Sequence, residues 1–323
     1  MDKKDITIAG KTHIGMQRKD NQDSYGFFEP GDEEKFLKKG RLFIVADGLG
    51  GHRGGKVASS MAVDIVGREY YACEYDDIYK SLISAIEKAN REIYEKGKSD
   101  EALERMGTTC TTVVIRQPYL YLAHVGDSRA YIIRDNIIKQ ISTDHTLVEE
   151  MVNSGIINKK DAKNHPDSHI LTRSLGIHSE VEIDILDPPI KLENGDVILI
   201  CSDGLTVYLS DEEIKKIVRK HSPEEACEKL IDIANSRGGR DNITVEIIKI
   251  NDALNGAILG DTAPFDNKTK KLEQIEDLDT VYDKKGKKET EELDEEFKNG
   301  DLIWPILVYL VIGFIMWLYF FKI

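Results

Sequence analysis

Short runs of β-branched and aromatic residues recur along the first 250 positions, and each has the length of a strand rather than of a helix. They are RLFIVAD (41–47), TCTTVVIR (109–116), YLYLAHV (119–125), DVILICS (196–202) and ITVEIIKI (243–250). Between them, residues 56–72 and 77–97 carry apolar side chains at helical spacing. SDEEIKKIVRK (210–220) opens with Ser210 followed by Glu213, a capping-box arrangement. Strands joined by short turns, at Gln117-Pro118 and at Arg134-Asp135-Asn136, favour antiparallel pairing. The pattern predicts an α+β domain over residues 1–250.

The pattern then changes twice. Residues 251–301 are rich in Asp, Glu and Lys, poor in large apolar side chains, and include an acidic run from Glu289 to Glu296. Such a composition predicts a charged, disordered linker with an end-to-end distance on the order of 40 Å; the alternative is a solvated helical arm. Residues 302–321 contain no charged side chain. About 20 such residues match a bilayer core as a helix, so the stretch reads as a transmembrane span, with a buried core helix as the alternative. Trp304, Trp317 and Tyr319 suit the interfacial belts, and Pro305 falls in the first turn. Only Lys322 and Ile323 follow, and the opening MDKKDITIAG lacks the apolar segment of a secretory signal. The expectation is a single-pass protein of the cell membrane with its N-terminal domain in the cytoplasm.

Composition narrows the functional classes. The chain has 323 residues, 41% of them hydrophobic, enough for a full core. A formal net charge of -14 argues against the broad basic surface that nucleic acid requires. Cys73, Cys110, Cys201 and Cys227 are far apart and form no C-x-x-C pair, so neither a zinc site nor a disulfide framework is suggested.

Chemistry is concentrated at strand ends. In VADGLGGHRGG (45–55) an apolar run stops at Asp47, and Gly48 would let a backbone carbonyl approach the same ion. A lone Asp-Gly is also a common turn. The signal is its recurrence: CSDGL places Asp203 after another strand, HVGDSRA places Asp127 after a third, and RGGRDNITV places Asp241 before a fourth. If these strands lie side by side the carboxylates converge, and like charges at close range call for cations. Oxygen ligands suit Mg²⁺ or Mn²⁺ rather than zinc. Two such ions can share and activate a water, which makes a protein nucleophile unnecessary, and no G-x-S-x-G is present. Arg18, in MQRKDNQDS (16–24), is a candidate for a bidentate contact to phosphate.

These segments together resemble the metal-dependent protein phosphatases of type 2C in their bacterial form. The motifs R-K-D-N-Q-D, V-A-D-G-x-G-G-H, G-T-T (107–109), H-V-G-D-S-R, T-D-H-T (143–146), L-T-R-S-L-G (171–176), S-D-G-L and R-D-N-I-T-V occur in family order over about residues 5–250. The resemblance implies a four-layer α-β-β-α sandwich of two antiparallel sheets flanked by helices, with the metals in a cleft at one end. It implies Asp47 as the bridging ligand, the Gly48 carbonyl on the second metal, Asp203 and Asp241 completing the first, and Asp23 acting through water. Asp127 with Asp203 matches a third, weaker site. Arg18 would bind the substrate phosphate, and His52 would protonate the leaving alkoxide, or else is only a hydrogen-bonding surface group. Gln22 departs from the glutamate of many members. The segment from Asp144 to Ser168 corresponds to a flap that shapes substrate choice. His124 and His145 read as structural.

The expected activity is hydrolysis of phosphoserine and phosphothreonine in proteins by a monomeric catalytic domain. The tether points to partners at the inner membrane face, such as a membrane-bound serine/threonine kinase and its substrates. A phosphoprotein-binding module that has lost turnover through Gln22 is the competing expectation.

Overall fold

The apolar runs form the middle of two antiparallel sheets. The computed structural model describes residues 5–50, 53–162 and 165–253. With elements numbered in chain order, the first sheet runs β1 (Ile6–His13), β13 (Ile243–Ile250), β12 (Val197–Cys201), β8 (Arg129–Arg134) and β9 (Ile137–Gln140). The second runs β10 (Asp184–Ile185), β7 (Tyr119–Val125), β6 (Cys110–Arg116), β3 (Arg41–Ala46) and β2 (Ser24–Phe28), with β11 (Ile190–Lys191) also on β7. A two-strand ladder, β4 (Gly48–Leu49) with β5 (Gly107–Thr108), leads out of β3. β1 and β13 pair over their whole length, from Ile6 opposite Ile250 to His13 opposite Ile243.

Every residue of β3 and of β12 is buried, which is why both read as continuous apolar runs rather than as alternating ones. One face of the second sheet packs Leu42, Ile44, Ala46 and Val114 against α2 (Gly54–Ala72) and α3 (Ile78–Ser99). One face of the first packs Leu199, Val245 and Ile247 against α7 (Asp211–Lys220) and α8 (Pro223–Ser236). Side chains alternate along a strand, so buried Phe43, Val45, Ile198 and Ile248 face the opposite way, between the sheets. Contacts of β3 with β12 and with β13 close that inner layer. The four-layer α-β-β-α arrangement expected from the resemblance is therefore the architecture found. The remaining helices are short: α1 (Glu33–Lys39), α4 (Leu147–Asn153), α5 (Lys159–Ala162) and α6 (Asp203–Thr206). α4 and α5 fall within the expected flap segment.

Local capping explains where helices begin. The Asp77 carboxylate accepts from the Lys80 N–H at 2.9 Å and starts α3. Ser210 with Glu213 forms the capping box expected for α7, and Ser222 with Glu225 forms a second one for α8, with Pro223 at its first position.

The folded body continues slightly past residue 250. The N–H groups of Asn251 and Asp252 donate to the Asp5 carbonyl at 2.8 and 3.0 Å, and Ala253 is buried. The rest of the expected linker and the span at 302–321 lie outside the described residues. Among the described residues no helix is long and apolar enough to cross a membrane.

Candidate active site

The strand ends that carry acidic residues meet at one end of the sandwich. Asp47 follows β3, and its backbone is pinned on both sides: its N–H donates to Thr109 Oγ1 at 2.8 Å, and its carbonyl accepts from Thr109 N and Thr108 Oγ1 at 2.9 and 2.8 Å. Asp203 opens α6 just after β12, Asp241 precedes β13, Asp127 lies in the turn between β7 and β8, and Asp23 directly precedes β2. Asp23 is buried, whereas the other four are half-buried at the rim, open enough to receive an ion.

Electrostatics shows that these carboxyls share one field. Burial pushes Asp47 well above the usual carboxylate range, and the charges of Asp23, Asp203, Asp127 and Asp241 push it further. Burial also raises Asp23 to about 7; hydrogen bonds from Thr244 and Ser202 pull it down, while Asp203 and Asp241 oppose them. Asp203 rises to about 6 through burial and Asp241, and it lies within hydrogen-bonding reach of the Asp47 carboxyl. Asp127 is raised by burial, then by Asp203 and Asp144. Of the expected acidic ligands, none is stranded elsewhere in the fold.

The donor set fits hard divalent ions. Asp23 Oδ1 and Asp203 Oδ1 are buried without a hydrogen-bond partner, an arrangement that costs free energy unless something positive or protic meets those atoms. Glycine shapes the neighbouring space. A Cβ on Gly48 would stand 2.2 Å from the Gly55 carbonyl oxygen, so only glycine lets the two backbones meet. A Cβ on Gly55 would stand 2.7 Å from the Gly48 carbonyl oxygen and 2.9 Å from Gln22 Oε1. That methyl-sized cradle is bordered by two neutral oxygens. Among the described residues no three His, Cys, Asp or Glu side chains are grouped so as to hold a metal ion by themselves. Hard ions of the Mg²⁺ type keep several waters and take one or two carboxylates each, which this open arrangement suits.

Arg18 reaches the same end but is engaged there: its Nη2 donates to Asp241 Oδ2 at 2.6 Å. That bond first, then the charges of Asp241, Asp47 and Asp203, hold the guanidinium firmly protonated. His52 lies outside the described residues. His124 is hydrogen-bonded to Thr111 and Gly126, and His145 accepts from the Gly126 N–H while its Nε2 lies 3.1 Å from Asp184 Oδ2.

The family model for protein phosphatase 2C matches residues 9–243. The chain belongs to the protein phosphatase 2C family. It is a serine/threonine protein phosphatase, metal-dependent as that family is. The serine/threonine phosphatase stp of Listeria innocua serovar 6a is 37% identical over 246 residues, 75% of this chain and 94% of that protein. The protein phosphatase PhpP of Streptococcus pneumoniae is 36% identical over 252 residues, 76% of this chain and 98% of that protein. The solved S. agalactiae serine/threonine phosphatase matches with a TM-score of 0.70 at 37% identity, over 76% of this chain and 100% of its own. The catalytic domain of the phosphatase PstP, solved in complex with 2 manganese ions, matches with a TM-score of 0.66 at 31% identity, over 76% and 99%.

Several residues of this 2C phosphatase site had no prominence in the sequence. Gly55 matters through what its missing side chain leaves open. Asn242 joins the loop that carries Arg18 to the segment that leads from Asp241 into β13: its Nδ2 donates to the carbonyls of Ile14 and Asp20 at 2.8 and 3.0 Å, and its Oδ1 accepts from Gln22 N at 2.8 Å. His169 lies close enough to Asp203 for its charge to act on that carboxyl. The signal for Asn242 was available in R-D-N-I-T-V, as a second polar residue beside a ligand. For Gly55 and His169 only the fold supplies the proximity.

Proposed function

We propose that the chain hydrolyses phosphoserine and phosphothreonine in proteins at a dinuclear Mn²⁺ or Mg²⁺ centre, at the cytoplasmic face of a membrane. Asp47, Asp203 and Asp241 would hold one ion, and Asp47 with the Gly48 carbonyl, beside Gln22, would hold the other. Asp23 would act through water, and Asp127 with Asp203 would offer a third, weaker position. The observation that carries this reading is the convergence on Asp47, whose charge is opposed by four other carboxylates at once. The two-manganese complex of the PstP catalytic domain supports the choice of ion.

When bound, the ions supply an activated water near neutral pH and positive charge for the phosphoryl oxygens. The chain supplies the rest. Arg18, about half exposed, swings its fork from Asp241 to the substrate phosphate and orients it. His52 holds a proton for the departing alkoxide. The half-buried rim admits a phosphorylated side chain, while buried Asp23 stays shielded behind it.

The membrane component of the proposal is supported by residues 302–321, which lack any charge. Phosphoproteins at that face are the substrate class, a membrane-bound serine/threonine kinase among them. The test is phosphate release from a phosphothreonine peptide by the full-length chain across a manganese titration. Asp47→Asn is expected to cut kcat by more than about 100-fold, beyond what loss of a ligand's outer partner costs. Absence of turnover by the unaltered chain at saturating manganese would refute the reading.

A further inference from the structure

Asp23 is 1% exposed, and its two oxygens have unlike surroundings. Oδ2 accepts from Ser202 Oγ and from Thr244 Oγ1, both at 2.7 Å. Oδ1 is buried and has no hydrogen-bond partner. In its ionised form Asp23 accepts only, so each hydroxyl then commits its single proton to it. The consequence runs outward. In the 2.7 Å contact between Thr244 Oγ1 and Thr12 Oγ1, the proton must come from Thr12. Thr12 Oγ1 accepts in turn from Asn21 Nδ2 at 2.9 Å, and Asn21 Oδ1 accepts from the Asp23 backbone N–H at 3.2 Å. The circuit closes on the residue where it began. Ser202 is locked as well, since its Oγ accepts from the Thr244 N–H at 3.0 Å.

The members come from distant parts of the fold. Thr12 is on β1, Thr244 on β13 and Ser202 just beyond β12, all of the first sheet, whereas Asp23 leads into β2 of the second. Ser202 and Thr244 are fully buried, so neither hydroxyl can exchange its partner for solvent. Chains of hydrogen bonds with one donor direction polarise one another, and the effect is strongest where water is excluded.

We propose that Asn21, Thr12, Thr244 and Ser202 are positioning residues that hold Asp23 by one oxygen, keep the other free for the metal's water, and thereby set the affinity for manganese. The inference rests on the reading of Asp23 as a ligand acting through water. None of the four is among the residues proposed to hold an ion or the phosphate. Loss of an outer partner of a metal's ligand commonly costs about 10- to 100-fold in affinity, which sets the expected size.

The experiment is calorimetric titration of Mn²⁺ into the full-length chain, with the melting temperature of each variant measured in chelator. Thr244→Val keeps the shape and removes the hydroxyl, and is expected to weaken Mn²⁺ binding by about 10-fold or more. Thr244→Ser restores the hydroxyl and is expected to bind within about 3-fold of the unaltered chain, well under the loss of an outer partner. Thr12→Val is the gentler variant should Thr244→Val not fold: it is expected to weaken binding alone and to add little in the Thr244→Val background, as members of one circuit do. A merely structural network would lower the melting temperature in chelator and leave Mn²⁺ affinity unchanged in both valine variants; that result overturns the proposal. Asp23→Asn separates the two layers of the argument. If it weakens Mn²⁺ binding while the valine variants do not, the circuit is wrong and the ligand reading stands; if it too is silent, both fall.

Discussion

Five carboxylates, four at the rim and Asp23 buried, crowd one end of the sandwich, and the way their charges oppose one another makes the metal-free protein sensitive to pH. Asp23 is raised to about 7 and Asp203 to about 6, both first by burial. A carboxyl raised on folding contributes stability that is fully present below its unfolded value, near 4, and is lost as pH climbs through its folded value. The melting temperature in chelator is therefore expected to fall between about pH 4 and pH 7. Manganese neutralises the same charges, so its stabilising increment is expected to be larger at pH 7 than at pH 5. Scanning calorimetry at the two pH values, with and without the ion, checks this; an increment independent of pH would mean that these groups do not titrate against the metal. At this scale four of the acids were legible because each borders an apolar run, whereas Asp23 was marked only by the family resemblance. The hydroxyls of Thr12, Ser202 and Thr244 were not, since Ser and Thr acquire a role only from what folding places beside them, here a carboxylate far away along the chain.

Among the elements, α8 is the clearest case of a structure set by its first turn. Ser222 Oγ accepts from Glu225 N at 3.3 Å, and Glu225 Oε2 accepts from Ser222 N at 3.2 Å. Removing that cap by Ser222→Ala is expected to lower stability by about 1 kcal/mol, read as a shift in the urea midpoint at unchanged slope. Manganese affinity should not change, because α8 packs on the outer face of the first sheet. Ser222-Pro-Glu-Glu225 is the same kind of signal as Ser210 with Glu213, and it was readable in advance. The edge strands were not. β1 has only one buried residue and β2 none, so neither shows the continuous apolar run that marked β3, β12 and β13. Their place in the sheets is imposed by pairing with stronger neighbours, which a single sequence does not display.

For the whole molecule, the proposed tether is tested by deleting residues 302–321 and fractionating the cell. The shortened chain is expected in the soluble fraction with its turnover of a phosphothreonine peptide intact; persistence in the membrane fraction would remove the basis for the anchor. The full-length pairing of β1 with β13 bears on the same question. β13 starts beside Asp241 and, after eight residues, ends where Asn251 and Asp252 bond to Asp5. Eight residues of strand cover about 25 Å. Asp5 and Ala253 therefore stand at one pole of the catalytic body and the acidic residues at the other, so a tether continuing from Ala253 would join the body a strand's length from its chemistry.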